Sequence, residues 1–145
     1  MPAEFKWWGW GDAERREAVP EATQAALRSE LGIEPGDARE PVALEQVELP
    51  AARSIPDAVR TAAGGELLSG DEDRIRRAAG RSYPDLVRLR SGNLELAPDA
   101  VAVPSSAEQV AAVLAACGDA GVAVVPFGGG SSVVGGLDAI AGSHS

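Results

Sequence analysis

The chain is poor in the residues that most often carry chemistry. Its 145 residues include one cysteine, one histidine and one methionine. A single cysteine excludes an internal disulfide framework and fits a reducing compartment. Cys117 falls on an apolar stripe and reads as core rather than nucleophile. His144 is flanked by Gly, Ser and Ser, and a lone histidine cannot make a metal site. The sequence holds no Cys-x-x-Cys pair, no Ser-His-Asp set and no ligand cluster, so no metal is expected. Apolar runs stay far below the roughly 18 residues of a membrane span, and no signal peptide opens the chain. The expectation is a cytoplasmic protein without a membrane span. Basic residues are also scarce: 13 against 22 acidic, a net charge of -9. That balance excludes a general nucleic-acid surface and docking on anionic membranes. Aromatics make up 4% of the chain, and Trp7, Trp8 and Trp10 crowd its first ten residues. A self-contained core would spread such side chains; here an N-terminal strap packed on the body is expected, against the alternative of ligand stacking.

What the chain has in quantity is glycine, 17 residues, concentrated towards its end. Val122 to Val125 form an apolar run that breaks at Pro126 into Phe127-Gly128-Gly129-Gly130-Ser131-Ser132-Val133-Val134-Gly135-Gly136. This pattern predicts a buried strand emptying into a loop with almost no side chains. Glycines let backbone amides turn the same way and let a ligand approach without a Cβ in between. Such amides form an anion nest, and the two serine hydroxyls add donors. The competing reading is a simple turn or linker, although linkers are not normally fed by an apolar run. No lysine follows the glycines and no clean G-x-G-x-x-G opens a helix, so P-loop and Rossmann readings are disfavoured.

Ahead of the loop, Ala100-Val101-Ala102-Val103 reads as a short strand. Ser105 and Glu108 have capping-box spacing. Val110, Val113, Leu114 and Cys117 then recur at helical spacing, one face turned to a sheet. Strand, helix and strand make a βαβ unit with parallel strands, and the glycine loop lies at the carboxyl end of the second. Helices are also predicted over 21–32, 56–63 and 71–79, a turn at 35–37 and a short strand over 42–49. Arg74, Arg76 and Arg77, interleaved with acids, read as a solvated face rather than a phosphate clamp. Pro84 is expected to hold Tyr83 outside helical space and fix a bend. Two parallel strands cannot cover both faces of a sheet, so the chain reads as the N-terminal part of a larger protein, with the isolated piece expected to be poorly folded and inactive.

The segments Pro104-Ser105-Ser106-Ala107-Glu108-Gln109-Val110 and Pro126 to Gly136 resemble the first FAD segment of flavoenzymes of the vanillyl-alcohol-oxidase type. Lys6-Trp7-Trp8-Gly9-Trp10-Gly11, Gly80-Arg81-Ser82-Tyr83-Pro84-Asp85 with Arg88 and Gly92, and Pro98-Asp99-Ala100-Val101 are similar to alkyldihydroxyacetonephosphate synthases (alkylglycerone-phosphate synthases) and their bacterial relatives. The resemblance implies an α+β fold: the N-terminal half of an FAD-binding domain with its βαβ unit over 98–145, preceded by a mainly helical region over 1–97. It implies that Pro126, Phe127, Gly128, Gly129, Gly130, Ser131 and Ser132 hold the FAD pyrophosphate. Some members of the wider superfamily carry a flavin-linked histidine in this loop; Gly130 occupies that position, which implies non-covalent FAD. The implied activity of the longer protein is exchange of the acyl group of acyl-dihydroxyacetone phosphate for a fatty alcohol, with homodimerisation open. The alternatives are an FAD-dependent 2-hydroxy-acid (glycolate or D-lactate) oxidase or dehydrogenase, and a non-catalytic binding module. No catalytic residue can be assigned.

Overall fold

A computed structural model describes residues 5–15, 17–65 and 67–138. Five α-helices follow in order: α1 Glu21–Leu31, α2 Asp57–Ala62, α3 Asp71–Arg76, α4 Tyr83–Ser91 and α5 Ala107–Ala120. Short 3-10 turns cover Pro35–Asp37 and Leu44–Gln46. α1, α4 and α5 stop at Gly32, Gly92 and Gly121, each at positive φ, where the amide folds back on the last helical carbonyls. α1 buries none of its residues, and its apolar positions stay at the surface.

Two apolar clusters organise the rest. The first joins Trp7, Ile75, Ala78, Ala79, Leu89 and Leu94, with Trp8, Val42, Leu44, Val47 and Leu49 packed against it. The N-terminal strap is therefore real for two of its three indoles. Trp7 is core, and Trp8 carries the Arg90 guanidinium 4.8 Å from its ring centre and the Lys6 ammonium at 5.5 Å. Trp10 remains 53% exposed. The second cluster pairs α2 with α5 through Val59, Ala63, Val113 and Cys117. Burial raises the Cys117 thiol pKa, which keeps it protonated and inert.

Several expectations are corrected. Among the described residues no β-ladder forms; the backbone pairs only in three isolated bridges, Phe5 with Asp12, Glu48 with Asn93 and Leu68 with Val101. Segments 100–103 and 122–125, expected as parallel neighbours, remain irregular. Val101 pairs antiparallel with Leu68 instead, through bonds of 2.8 and 2.9 Å. The physical reason lies in cover: a parallel pair needs both faces buried, while Val103, Val124 and Val125 are exposed. α5 consequently packs on α2 rather than on a sheet, and of its expected stripe only Val113 and Cys117 are buried. Residues 42–49 turn Val42, Leu44, Val47 and Leu49 inward but make a 3-10 turn and one bridge rather than a strand.

α3 ends at Arg76, short of the expected Ala79. Its arginines are not a solvated face. Arg74 is 4% exposed, and its guanidinium donates to the Pro98 carbonyl at 2.8 Å, the Pro50 carbonyl at 2.7 Å and Asp71 at 3.4 Å. It ties the segment leaving the first cluster to the one entering α5. Arg76 and Arg77 are part-buried and pair with Glu72 and Asp73 one turn back.

Replacing Arg74 by methionine keeps the length but leaves the Pro50 and Pro98 carbonyls without this donor. Urea unfolding should show a loss of about 3 kcal/mol. Asp71→Ala removes only the partner whose side chain is 79% exposed, and should cost less than about 0.5 kcal/mol.

Candidate functional site

The glycine loop begins where α5 ends. Val122 donates to the Cys117 carbonyl at 2.8 Å, and the chain then runs outward through exposed residues 123–126 to Phe127. Gly128 and Gly129 are open: a Cβ added at either would meet nothing within 4 Å. Gly130 differs. It is buried at φ +67°, and a Cβ there would come within 2.6 Å of the Phe127 ring. Among the described residues, no backbone N–H of 127–131 donates a hydrogen bond within the chain. Only Gly130 is buried; the amides of Gly128, Gly129 and Ser131 lie at the surface, so the row is open to an acceptor from outside the chain. The residues present therefore fit an anionic group bound by main-chain donors.

Beyond the loop the chain closes on itself. Ser132 Oγ accepts from the Gly136 amide at 3.2 Å, and the Asp138 amide donates to the Gly135 carbonyl at 3.3 Å. Leu137 is buried, while Val133 and Val134 are exposed.

α4 forms the other wall. Ser82 caps it: its Oγ accepts from the Asp85 amide at 3.2 Å and donates to Asp85 Oδ2 at 2.7 Å, and its amide donates to the same oxygen at 3.0 Å. Tyr83 and Pro84 are thus the first two residues of a helix. This corrects the expected bend, because proline's missing N–H is not needed in a first turn. Tyr83 is 81% exposed. Asp85 is 1% exposed and accepts from Arg88, which also donates to Asp138 at 3.0 Å. Burial pushes the Asp85 carboxyl up, but the bonds from Ser82 and Arg88 outweigh it and hold the pKa below the ordinary aspartate value. The bond to Asp85 in turn raises the Arg88 pKa. Burial lowers that of Arg81, with Asp85 opposing the shift.

The two walls meet at Gly80, Arg81 and Ser132. The Arg81 amide donates to the Ser132 carbonyl at 2.6 Å. A Cβ on Gly80 would collide with that carbonyl and approach Asp85 Oδ2 to 3.1 Å. The Arg81 guanidinium faces away from the loop, donating to the carbonyls of Gly9 at 3.1 Å, Gly80 at 2.8 Å and Lys6 at 3.4 Å. A cavity of about 130 Å³ lies behind this junction, lined in part by Arg88, Leu94 and Asp138. It does not include the loop, which sits at the surface. Residues 91–145 contain no lysine or arginine, so the cations nearest the loop in the fold come from α4 and the turn before it.

The helix cap at α5 is displaced by one residue from expectation. Ser106, not Ser105, is the N-cap, accepting from the Gln109 amide at 3.2 Å. Gln109 Oε1 accepts from the amide of Ser105, one residue before the cap, at 2.7 Å, so the expected capping box does not close. His144 lies outside the described residues.

Residues 98–143 match the FAD binding domain family. The cofactor of this segment is FAD. No curated protein matches the chain. Two solved structures of alkyldihydroxyacetonephosphate synthase share its fold. One, in crystal form P1, has a TM-score of 0.79 and 23% identity over 97% of this chain. The other, in form P212121, has a TM-score of 0.78 and 25% identity over 94%. The chain spans 31% and 29% of the lengths of those two structures. The loop and its α4 wall thus lie in a fold shared with that synthase. No helix among the described residues is long and apolar enough to cross a membrane.

The lowered Asp85 pKa has a consequence for acid stability. Below the unfolded-state value of about 3.8 an unfolded chain takes up this proton before the native one does. Stability is therefore fully present above that value and is lost as pH falls towards the lower native pKa. The unfolding midpoint should fall as pH drops below about 3.8, and Asp85→Asn should flatten that part of the profile.

Proposed function

We propose that this chain supplies the diphosphate-holding part of an FAD-dependent enzyme resembling alkylglycerone-phosphate synthase. The observation that carries the reading is the row of unpaired amides over Gly128, Gly129 and Gly130, set in a segment matching the FAD binding domain family. Pro126 to Ser132 would hold the FAD pyrophosphate, with main-chain N–H groups as donors and the Ser131 and Ser132 hydroxyls beside them. Gly130 favours non-covalent attachment at this loop, since its positive φ and the Phe127 ring leave no place for a histidine. Bound FAD supplies the electron-accepting ring, which in the proposed exchange of an acyl group for a fatty alcohol on dihydroxyacetone phosphate works without net redox change.

The boundary of the FAD-binding part is placed near residue 98, after the helical region of 1–97. With further structure over their exposed valines, segments 100–103 and 122–125 would lie as the parallel strands of a βαβ unit, which is what the α+β reading asks of them. The substrate is a small lipid molecule, the catalytic groups belong to other regions of the enzyme, and the setting is cytoplasmic.

Protein expressed from its complete coding frame and loaded with FAD should convert acyl-dihydroxyacetone phosphate and a long-chain alcohol to the alkyl product, releasing a fatty acid without oxygen uptake. Anaerobic bleaching of the flavin by D-lactate or glycolate, with no alkyl exchange, would instead mark a hydroxy-acid oxidase. Gly129→Val is the sharper test. A Cβ at this position meets no protein atom within 4 Å, so the unfolding midpoint should not move, while flavin should be lost on gel filtration. Unchanged flavin content would show that the pyrophosphate lies elsewhere.

A further inference from the structure

The loop's amides are free, but the residues just beyond them are not, and the contacts that hold them come from 50 and 51 residues earlier in the chain. Ser132 and Asp138 bracket the closed turn that follows the glycines. Ser132 is fixed through its carbonyl by the Arg81 amide, at a distance only a glycine at position 80 permits. Asp138 is fixed through its carboxylate by Arg88. Both anchors spring from one rigid unit, the capped first turns of α4, whose centre is the buried Asp85. On the far side the loop starts from α5 through the Val122–Cys117 bond.

We infer that the α4 cap, through Arg81 N–H on Ser132 and Arg88 on Asp138, is a positioning device that presets the glycine loop for a diphosphate. The inference rests on the reading that this loop takes the FAD pyrophosphate. Donors held in place before binding lose little freedom when the ligand arrives, so preorganisation raises affinity without any new contact. The device acts only on the part of the ligand that the loop touches. Arg88 and Asp85 are positioning residues, and Asp138 is their handle on the loop. Arg81 extends the unit to the strap, since its guanidinium holds the carbonyls of Lys6 and Gly9.

The test uses protein from the complete coding frame with ADP and adenosine as probes, which differ only in the diphosphate. Asp138→Ala leaves the buried Asp85–Arg88 pair intact and should keep the unfolding midpoint. It should weaken ADP about tenfold, the lower end of the loss seen when groups that orient a binding shell from behind are removed, and leave adenosine unchanged. Arg88→Lys, which keeps a charge able to reach one carboxylate, should fall between wild type and Asp138→Ala. Equal loss of ADP and adenosine with a lowered midpoint would make the contact merely structural and overturn the inference. So would unchanged ADP affinity in Asp138→Ala when Gly129→Val abolishes ADP binding. If Gly129→Val itself leaves ADP binding intact, the loop is not the diphosphate site, and both readings fall together.

Discussion

A carboxylate removed from water must be partnered, and Asp85 sets the order of the surrounding segments through that need. Burial of an unpaired charge is costly enough that the group would otherwise take up a proton. Asp85 escapes this by accepting from the Ser82 amide, the Ser82 hydroxyl and Arg88. Each partner then has a second duty. Ser82 caps α4, and Arg88 reaches on to Asp138. The turn that brings Ser82 to the carboxylate also aims the Arg81 amide at Ser132. Removing the carboxylate would therefore loosen a helix start, an ion pair and a loop at once, which makes these contacts non-additive.

The same geometry explains why position 80 is glycine. The Arg81 amide can come within 2.6 Å of the Ser132 carbonyl only if the preceding residue lacks a side chain, because a Cβ there would occupy the carbonyl's place. Gly128 and Gly129 are glycines for a different reason, since nothing in the chain crowds them. One glycine serves the protein's own packing, and two leave space that the protein does not fill.

Electrostatics separates anion capture from net charge. The chain carries -9 overall, and its last 55 residues have no basic side chain to set against Glu95, Asp99, Glu108, Asp119 and Asp138. A diphosphate approaching the loop would meet no attractive long-range field, and Arg88 is already neutralised by two carboxylates. Affinity must then come from short-range amide dipoles, which act only when correctly aimed. An acidic chain can hold such a ligand provided its loop is rigidly placed. That is the burden the proposed reading puts on α4.

How far the sequence disclosed this follows from how local each signal is. Helix ends were legible where a proline or glycine sits at the boundary, as at Pro20 and Gly32, because those residues act through their own backbone. The openness of Gly128 and Gly129 was legible for the same reason. α4 was missed because Pro84 was weighed as a breaker of the residue before it, whereas Ser82-x-x-Asp85 around it is a capping box that places proline in a first turn. The strands were overread: alternation and apolar runs report what a segment can bury, and of 122–125 only Val122 packs against an apolar cluster, while Val124 and Val125 stay exposed. Arg74 was illegible in principle. An arginine interleaved with acids looks solvated until the fold brings the carbonyls of Pro50 and Pro98 to meet it. The junction of Gly80 with Ser132 spans 52 positions and rests on an absent side chain, a feature no local pattern records. What fixes the loop is thus the least visible part of the sequence, and the loop itself the most.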